Sequence, residues 1–168
     1  MDREALLGWR RLTDEDVPDL AGTIASDIER LEGDGTKLTF YVGCDSHRRK
    51  RIITYAKVIA VRMEHESGGG MGVFCYYKKD KEPSGKIPHR DRLWNEVHKT
   101  VEVAQWLDEI LLPLDHCVEE LHADLNASPE YLSNCVASMC LGYIRSMGYV
   151  GVIKPDSWAA DAADGKSK

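Results

Sequence analysis

At 168 residues the chain is long enough for one domain with a core of its own. Its 43% hydrophobic and 30% charged residues are ordinary for a soluble globular protein, and a formal net charge of −6 excludes a uniformly basic nucleic-acid binder. No apolar stretch approaches the ~20 residues of a membrane span, so no membrane association is expected.

The start, MDREALLGWRR, has no apolar leader core, and a cytoplasmic location is expected. Cys44, Cys75, Cys117, Cys135 and Cys140 sit in apolar segments without a CxxC pair. They are expected to be reduced and to fill core space, and their spacing does not make a zinc site.

In chain order, Val17, Leu20, Ala21, Ile24, Ile28 and Leu31 recur at helical spacing, with Thr13 and Asp14 offering N-cap chemistry and Gly33-Asp34-Gly35 ending the helix. An apolar run from Leu38 to Cys44 then predicts a strand that closes at Asp45. A basic turn, Arg48 to Arg51, precedes a second strand from Arg51 to Met63. Ser67 to Gly70 reads as a hairpin tip, and a third strand covers Gly72 to Lys78. Residues 80–88 read as a Lys/Pro/Gly loop, with the basic run Lys78-Lys79-Asp80-Lys81 at its start.

The period then changes to 3.6. Leu93, Val97, Thr100, Val101, Ala104, Leu107 and Leu111 predict a helix stopped near Pro113. A fourth strand runs from Cys117 to Leu125. Ser128 and Pro129 open a further helix with the stripe Leu132, Cys135, Val136, Met139, Tyr143 and Ile144. A fifth strand, Tyr149 to Ile153, is broken by Lys154-Pro155-Asp156-Ser157, where a short terminal helix through Trp158 is expected. Three antiparallel strands followed by two strand–helix crossovers describe an α/β fold, a mixed five-stranded sheet with helices on its faces.

The acids carry the chemistry of this reading. Asp45 and Asp124 close the first and fourth strands, which would be parallel neighbours, at the strand ends where open α/β sheets gather ligands. Strand alternation puts Tyr41, Gly43 and Asp45 on one face, and Gly43 leaves room there for a partner of the carboxylate. Glu96 sits at the edge of the buried helical stripe. Asp156 begins the last helix and is also an obvious N-cap. Crowded carboxylates repel unless a divalent cation compensates, and hard oxygen donors select Mg²⁺ or Mn²⁺. Two such ions can activate a water and stabilise a leaving oxygen in phosphodiester hydrolysis.

Gly43-Cys44-Asp45-Ser46-His47 resembles the "GTDSQ"-type opening of the YkuK-like bacterial proteins, a family placed in the ribonuclease H-like superfamily. Lys154-Pro155-Asp156-Ser157-Trp158-Ala159-Ala160 resembles their "KPDSWAA" close. Arg92-Leu93-Trp94-Asn95-Glu96 and His122-Ala123-Asp124-Leu125-Asn126 fall where the family carries "RxWxE" and "HxDxN". The match runs from about Lys37 to Lys168, which leaves residues 1–36 as an N-terminal helical extension.

The resemblance implies a ribonuclease H-like sheet of order 3-2-1-4-5, with Asp45, Glu96, Asp124 and Asp156 as catalytic and metal-binding carboxylates. Ser46, His47, His122 and Asp164 are candidates for the surrounding shell. Asp156 is preferred over Asp161 and Asp164 as the C-terminal acid because it lies nearest the end of the fifth strand and within the matching motif. The expected function is a divalent-metal-dependent nuclease acting on RNA, DNA or a hybrid, with one or two Mg or Mn ions. The alternative is a non-catalytic module that binds nucleic acid or protein.

Overall fold

The computed structural model describes residues 3–65, 67, 69–126, 128, 130 and 134–163; Leu132, Pro129 and Asp164 fall outside them. Among the described residues one mixed sheet has seven strands in the order β2-β1-β5-β4-β3-β6-β7. These are β1 Trp9–Arg11, β2 Asp16–Val17, β3 Thr36–Arg49, β4 Ile52–His65, β5 Gly69–Pro83, β6 Val118–Asn126 and β7 Gly151–Lys154. The α-helices are α1 Leu20–Gly33, α2 His89–Leu111 and α3 Asn134–Ser146.

The five inner and right-hand strands, β5-β4-β3-β6-β7, have the expected order, with β3, β4 and β5 antiparallel and β6 and β7 parallel to β3 and β6. The sheet is nonetheless seven-stranded, not five-stranded. The two added strands come from the N-terminal segment, where Arg10 and Arg11 pair with Tyr77 and Tyr76 and extend the sheet past β5. Trp9 and Val17 are buried there, so hydrophobic burial holds a pair of strands too short to show a period in the sequence. The first helix begins later than expected, at Leu20, because Asp19 rather than Thr13 or Asp14 caps it: Asp19 Oδ1 accepts the Gly22 N–H at 3.0 Å.

The main core lies on one face. Leu38, Phe40 and Val42 of β3, Ile59 and Val61 of β4 and Tyr76 of β5 meet Leu20, Ile24 and Ile28 of α1 and Val97, Val101 and Leu107 of α2. Val136, Cys140 and Ile144 of α3 belong to the same cluster. Helices were expected on both faces, but all three α-helices share this core. The other face, with Tyr41, Ala56, Val58, Ala60 and Tyr77, is covered by Trp158, Ala159 and Ala162 of the C-terminal segment.

That segment is not the expected helix. It makes turns and an extended stretch, and only Asp161–Ala163 forms a short 3₁₀ helix. The Trp158 and Ala159 N–H groups both donate to His122 Nδ1, each at 3.0 Å, which takes two donors away from any helical ladder. Gly43 explains why the backbone can lie so close. A Cβ at that position would stand 2.6 Å from the Ala160 nitrogen. The room left by Gly43 is therefore filled by the chain's own C-terminal backbone.

Of the cysteines whose surroundings are described, Cys44, Cys75 and Cys140 are buried and Cys117 is exposed; all four are free thiols. Among the described residues no helix is long and apolar enough to cross a membrane.

Candidate functional site

The β3–β6 ladder pairs Gly43 with His122 and Cys44 with Ala123 in parallel and stops there, so Asp45 and Asp124 follow side by side just past its last pair; the strand expected to close at Asp45 runs on, paired with β4, to Arg49. Both share the sheet face of Gly43 and His122, the face covered by the C-terminal segment. Trp158 packs edge to face against Tyr41 and His122, which are tilted to each other, with ring centroids 4.9–5.3 Å apart. His122 is wholly buried and serves as the clamp of this segment. Its Nδ1 accepts the two amide protons while Nε2 bonds Glu120 Oε2 at 3.1 Å. Burial lowers its pKa against the pull of Glu120, in keeping with a neutral ring.

Lys154, at the end of β7, reaches into the same corner. Its Nζ lies 2.5 Å from Asp124 Oδ1 and 3.9 Å from Asp161 Oδ1, and Asp45 adds to the field that raises its pKa. Asp161, one residue beyond the close contact of Ala160 with Gly43, is thus drawn towards the acid pair. Asp156 was expected to cap a helix; it sits instead in an exposed turn, where its N–H donates to the Ile153 carbonyl at 3.1 Å.

Glu96 approaches from the α2 side. It is 4% exposed, and its carboxyl accepts a hydrogen bond from Ser46 Oγ. Arg92 Nη1, one turn earlier on the helix, donates to the Ser46 carbonyl at 2.7 Å and to Ser46 Oγ at 3.1 Å. Burial pushes the Glu96 pKa up to about 8, and the charges of Asp45 and Asp124 push it in the same direction, while Ser46 and Arg92 act against them. The three acids therefore feel one another. A group with this pKa carries a proton at neutral pH. Cys44, on the same face as Val42 and Ser46, is buried against Ile53 and Tyr55, and burial pushes its thiol well up, so it is an inert packing residue.

Ser46 thus holds Glu96 directly, whereas His47 is exposed on the face of Asp45 and one row further out. The carboxylate oxygens of Asp45, Asp124 and Glu96 are the donor type that a hard divalent cation requires. Among the described residues no three His, Cys, Asp or Glu side chains are gathered closely enough to hold a metal ion together. The reason is visible in the contacts: the Glu96 carboxyl is engaged by Ser46 below the sheet, and Lys154 supplies positive charge to Asp124 above it.

The sequence offers Lys154 and Arg92 only as parts of motifs, without a role, and Asp161 as a contender ranked below Asp156 and Asp164. All three lie in or beside the motifs that brought Asp45, Glu96 and Asp156 to notice. Their alternation and helical spacing relative to the acids was the available signal.

The family described as ribonuclease H-like matches residues 23–168, which takes in the whole sheet from β3 onward and the acids at its ends. The chain belongs to the ribonuclease H-like family. Comparison with curated proteins and with solved structures finds no match. Membership of this family is compatible with a nuclease or with a nucleic-acid-binding fold, and it agrees with the strand order β5-β4-β3-β6-β7.

Proposed function

We propose that this ribonuclease H-like protein is a divalent-metal-dependent nuclease that hydrolyses phosphodiester bonds in RNA, DNA or a hybrid. The observation that carries the reading is the position of Asp45 and Asp124 side by side just past the last pair of the parallel β3–β6 ladder, with the buried Glu96 carboxyl bonded to Ser46, the neighbour of Asp45. Asp45, Asp124 and Glu96 would hold the ion, with Asp161 or Asp156 contributing from the C-terminal segment. Bound there, Mg²⁺ or Mn²⁺ would supply an activated water and stabilisation of charge on the phosphate oxygens. Asp45 and Asp124 orient the site from the rigid sheet. Ser46, itself held by Arg92, fixes the Glu96 carboxyl, which on binding a cation would release its proton to solvent. Lys154 neutralises Asp124 in the meantime and is placed to meet a phosphate oxygen.

A second reading draws on Lys154 itself. An ammonium seated on Asp124 satisfies part of the acid cluster without a metal, as in a module that binds nucleic acid without cleaving it. The deciding experiment incubates the protein with single- and double-stranded RNA, DNA and hybrid in Mg²⁺ and in Mn²⁺, beside Asp45→Asn. Metal-dependent cleavage lost in Asp45→Asn establishes the nuclease. Absence of cleavage in every combination leaves the binding module.

A further inference from the structure

The sequence Lys79-Asp80-Lys81-Glu82 alternates in sign, and the strand period of two separates the signs onto opposite faces of β5. On the α2 side the acids are paired: Lys57 Nζ is 2.7 Å from Asp80, and Lys99 Nζ is 2.7 Å from Glu82. On the other side Lys79 and Lys81 join Arg49, Lys50 and Arg51 of the β3–β4 hairpin around a groove of about 540 Å³ floored by Ile52 and Thr54. Among the described residues these five cations have no carboxylate or hydrogen-bond partner for their side chains, in contrast with Lys57, Lys99 and Lys154. Lys50 holds the hairpin tip with φ at 54°, a left-handed conformation that a glycine or asparagine would adopt with less strain.

The register ties this groove to the acids. Asp45 pairs with Ala56, and Ala56 pairs with Lys79, so the three form one row across a single sheet face, with Asp124 beside Asp45 just past the last β3–β6 pair; Ala56, in the middle of the row, is buried in the cluster that Trp158 and Ala162 cover. The open path towards the acids is therefore the next row outward, His47, Thr54 and Lys81, of which His47 and Lys81 are exposed. At roughly 4.8 Å between strands, Lys79 stands about 10 Å from Asp45 along the row. That separation suits a phosphate one or two nucleotides from a phosphate held at the acids. None of the groove residues is aromatic, so recognition there would be of the backbone and not of the bases.

We propose that the groove between the β3–β4 hairpin tip and β5 is a binding track for the phosphate backbone of single-stranded nucleic acid, leading its chain onto Asp45 and Asp124. It deepens the nuclease reading by naming the substrate contact, and binding itself does not require the chemistry. A single strand is the occupant because the cations form one patch. A second backbone would lie over the acids of a chain whose net charge is −6.

The test is fluorescence anisotropy with labelled single-stranded RNA and DNA oligonucleotides and the corresponding duplex, in EDTA so that no cleavage intervenes. The full chain is compared with Lys79→Ala/Lys81→Ala, Arg49→Ala/Arg51→Ala and Asp45→Asn, and folding of each is checked by thermal melting. Single strands are expected to bind with a log–log salt slope of about −3, and each double variant to weaken binding roughly 5–20-fold and reduce that slope by about 1.4. Asp45→Asn should bind at least as well as the parent.

Unchanged affinity in both folded double variants, no single-strand binding at all, tighter binding of the duplex, or equal competition by polyglutamate would each overturn the proposal. A Mn²⁺-induced rise in melting temperature, measured in the same variants, reads the acid site separately. Its retention in the lysine variants and loss in Asp45→Asn tells a failed track from a failed metal site.

Discussion

Lys154 Nζ stands 2.5 Å from Asp124 Oδ1, so the chain brings its own cation to the strand end where the acids meet. Two effects follow from removing that charge. Asp124 loses its partner, and because both side chains are partly exposed the loss of stability is modest, about 0.5–1 kcal/mol. The field of Asp45, Asp124 and Asp161 is then opposed by one positive charge fewer. For Lys154→Met we expect a slightly lower melting temperature without metal and a Mn²⁺ titration midpoint several-fold lower than in the parent. A midpoint that moves up would mean that Lys154 assists the cation rather than competing with it.

Glu96 gives a pH dependence whose sign can be worked out. Its folded pKa is raised to about 8 by burial and by the neighbouring acids, while in the unfolded chain it returns to the ordinary carboxyl range. Between those values the folded protein holds a proton that the unfolded chain has released. The contribution is fully present below the unfolded pKa and is lost as pH rises through the folded one. In EDTA, therefore, stability should fall as pH rises from about 5 to 8, by roughly 2–4 kcal/mol in the fully buried limit. Glu96→Gln should flatten this slope and be the more stable protein at pH 8, while responding less to Mn²⁺. Urea unfolding at pH 5, 6.5 and 8 measures it, and parallel pH profiles for the two proteins would refute the assignment.

Asp27 behaves in the opposite way. It is buried on α1, and burial raises its pKa, but hydrogen bonds from Tyr76, from Arg11 at 2.7 Å and from Arg30 at 3.0 Å together bring it below the usual value. A lowered carboxylate stabilises the fold above the unfolded pKa, and that stability is lost as pH falls through the folded pKa. Asp27→Asn should cost about 2–4 kcal/mol at pH 7, because Arg11 and Tyr76 are left facing a neutral amide, and less than that at pH 3. Equal destabilisation at both pH values would show that shape rather than charge is what Asp27 provides.

The close approach at Gly43 invites a direct test. A methyl group there meets backbone atoms of Ala159 and Ala160, which cannot rotate away as a side-chain tip can. Gly43→Ala should destabilise by about 1–3 kcal/mol, roughly 3–10 °C for a chain of this size. The damage should be local: amide exchange at Trp158 and Ala159, whose protons go to His122, should rise more than exchange in α2. Uniformly raised exchange across the sheet would place the strain elsewhere.

Much of the site was legible because it rests on period and topology. The apolar run to Cys44, the stripe through Leu93 and Val97 and the run ending at Leu125 bring Asp45 and Asp124 to neighbouring strands and Glu96 to the inner face of its helix without knowledge of contacts, although the strand read as closing at Asp45 runs on to Arg49. The sequence could not show how far the sheet reaches. Arg48, Arg49 and residues 80–83 continue β3 and β5, yet they look like solvated turns because their charges, not apolar residues, carry the alternation. The N-terminal strands are too short for a period, and Trp9 alone marks their burial. The C-terminal segment was read as a helix because its amide partners are on His122, some 36 residues away in the chain.

Which C-terminal acid serves the site is the last question that geometry addresses. Motif position favoured Asp156, yet its side chain lies in an exposed turn ahead of the segment that crosses the sheet. Asp161 follows directly on Ala160, whose backbone is pressed against Gly43 two residues before Asp45 on the same strand. Asp156 and Asp161 are both exposed, but Asp161 shares the Lys154 ammonium with Asp124, a link that ties it to the acids on the sheet. We therefore expect Asp161→Asn to remove roughly half or more of the Mn²⁺-induced rise in melting temperature and to lower any cleavage, with Asp156→Asn close to the parent in both. The opposite ranking, with Asp156→Asn silencing the metal response, would return the role to the residue that the motif indicates and would require the turn at 155–156 to fold inward when the ion binds.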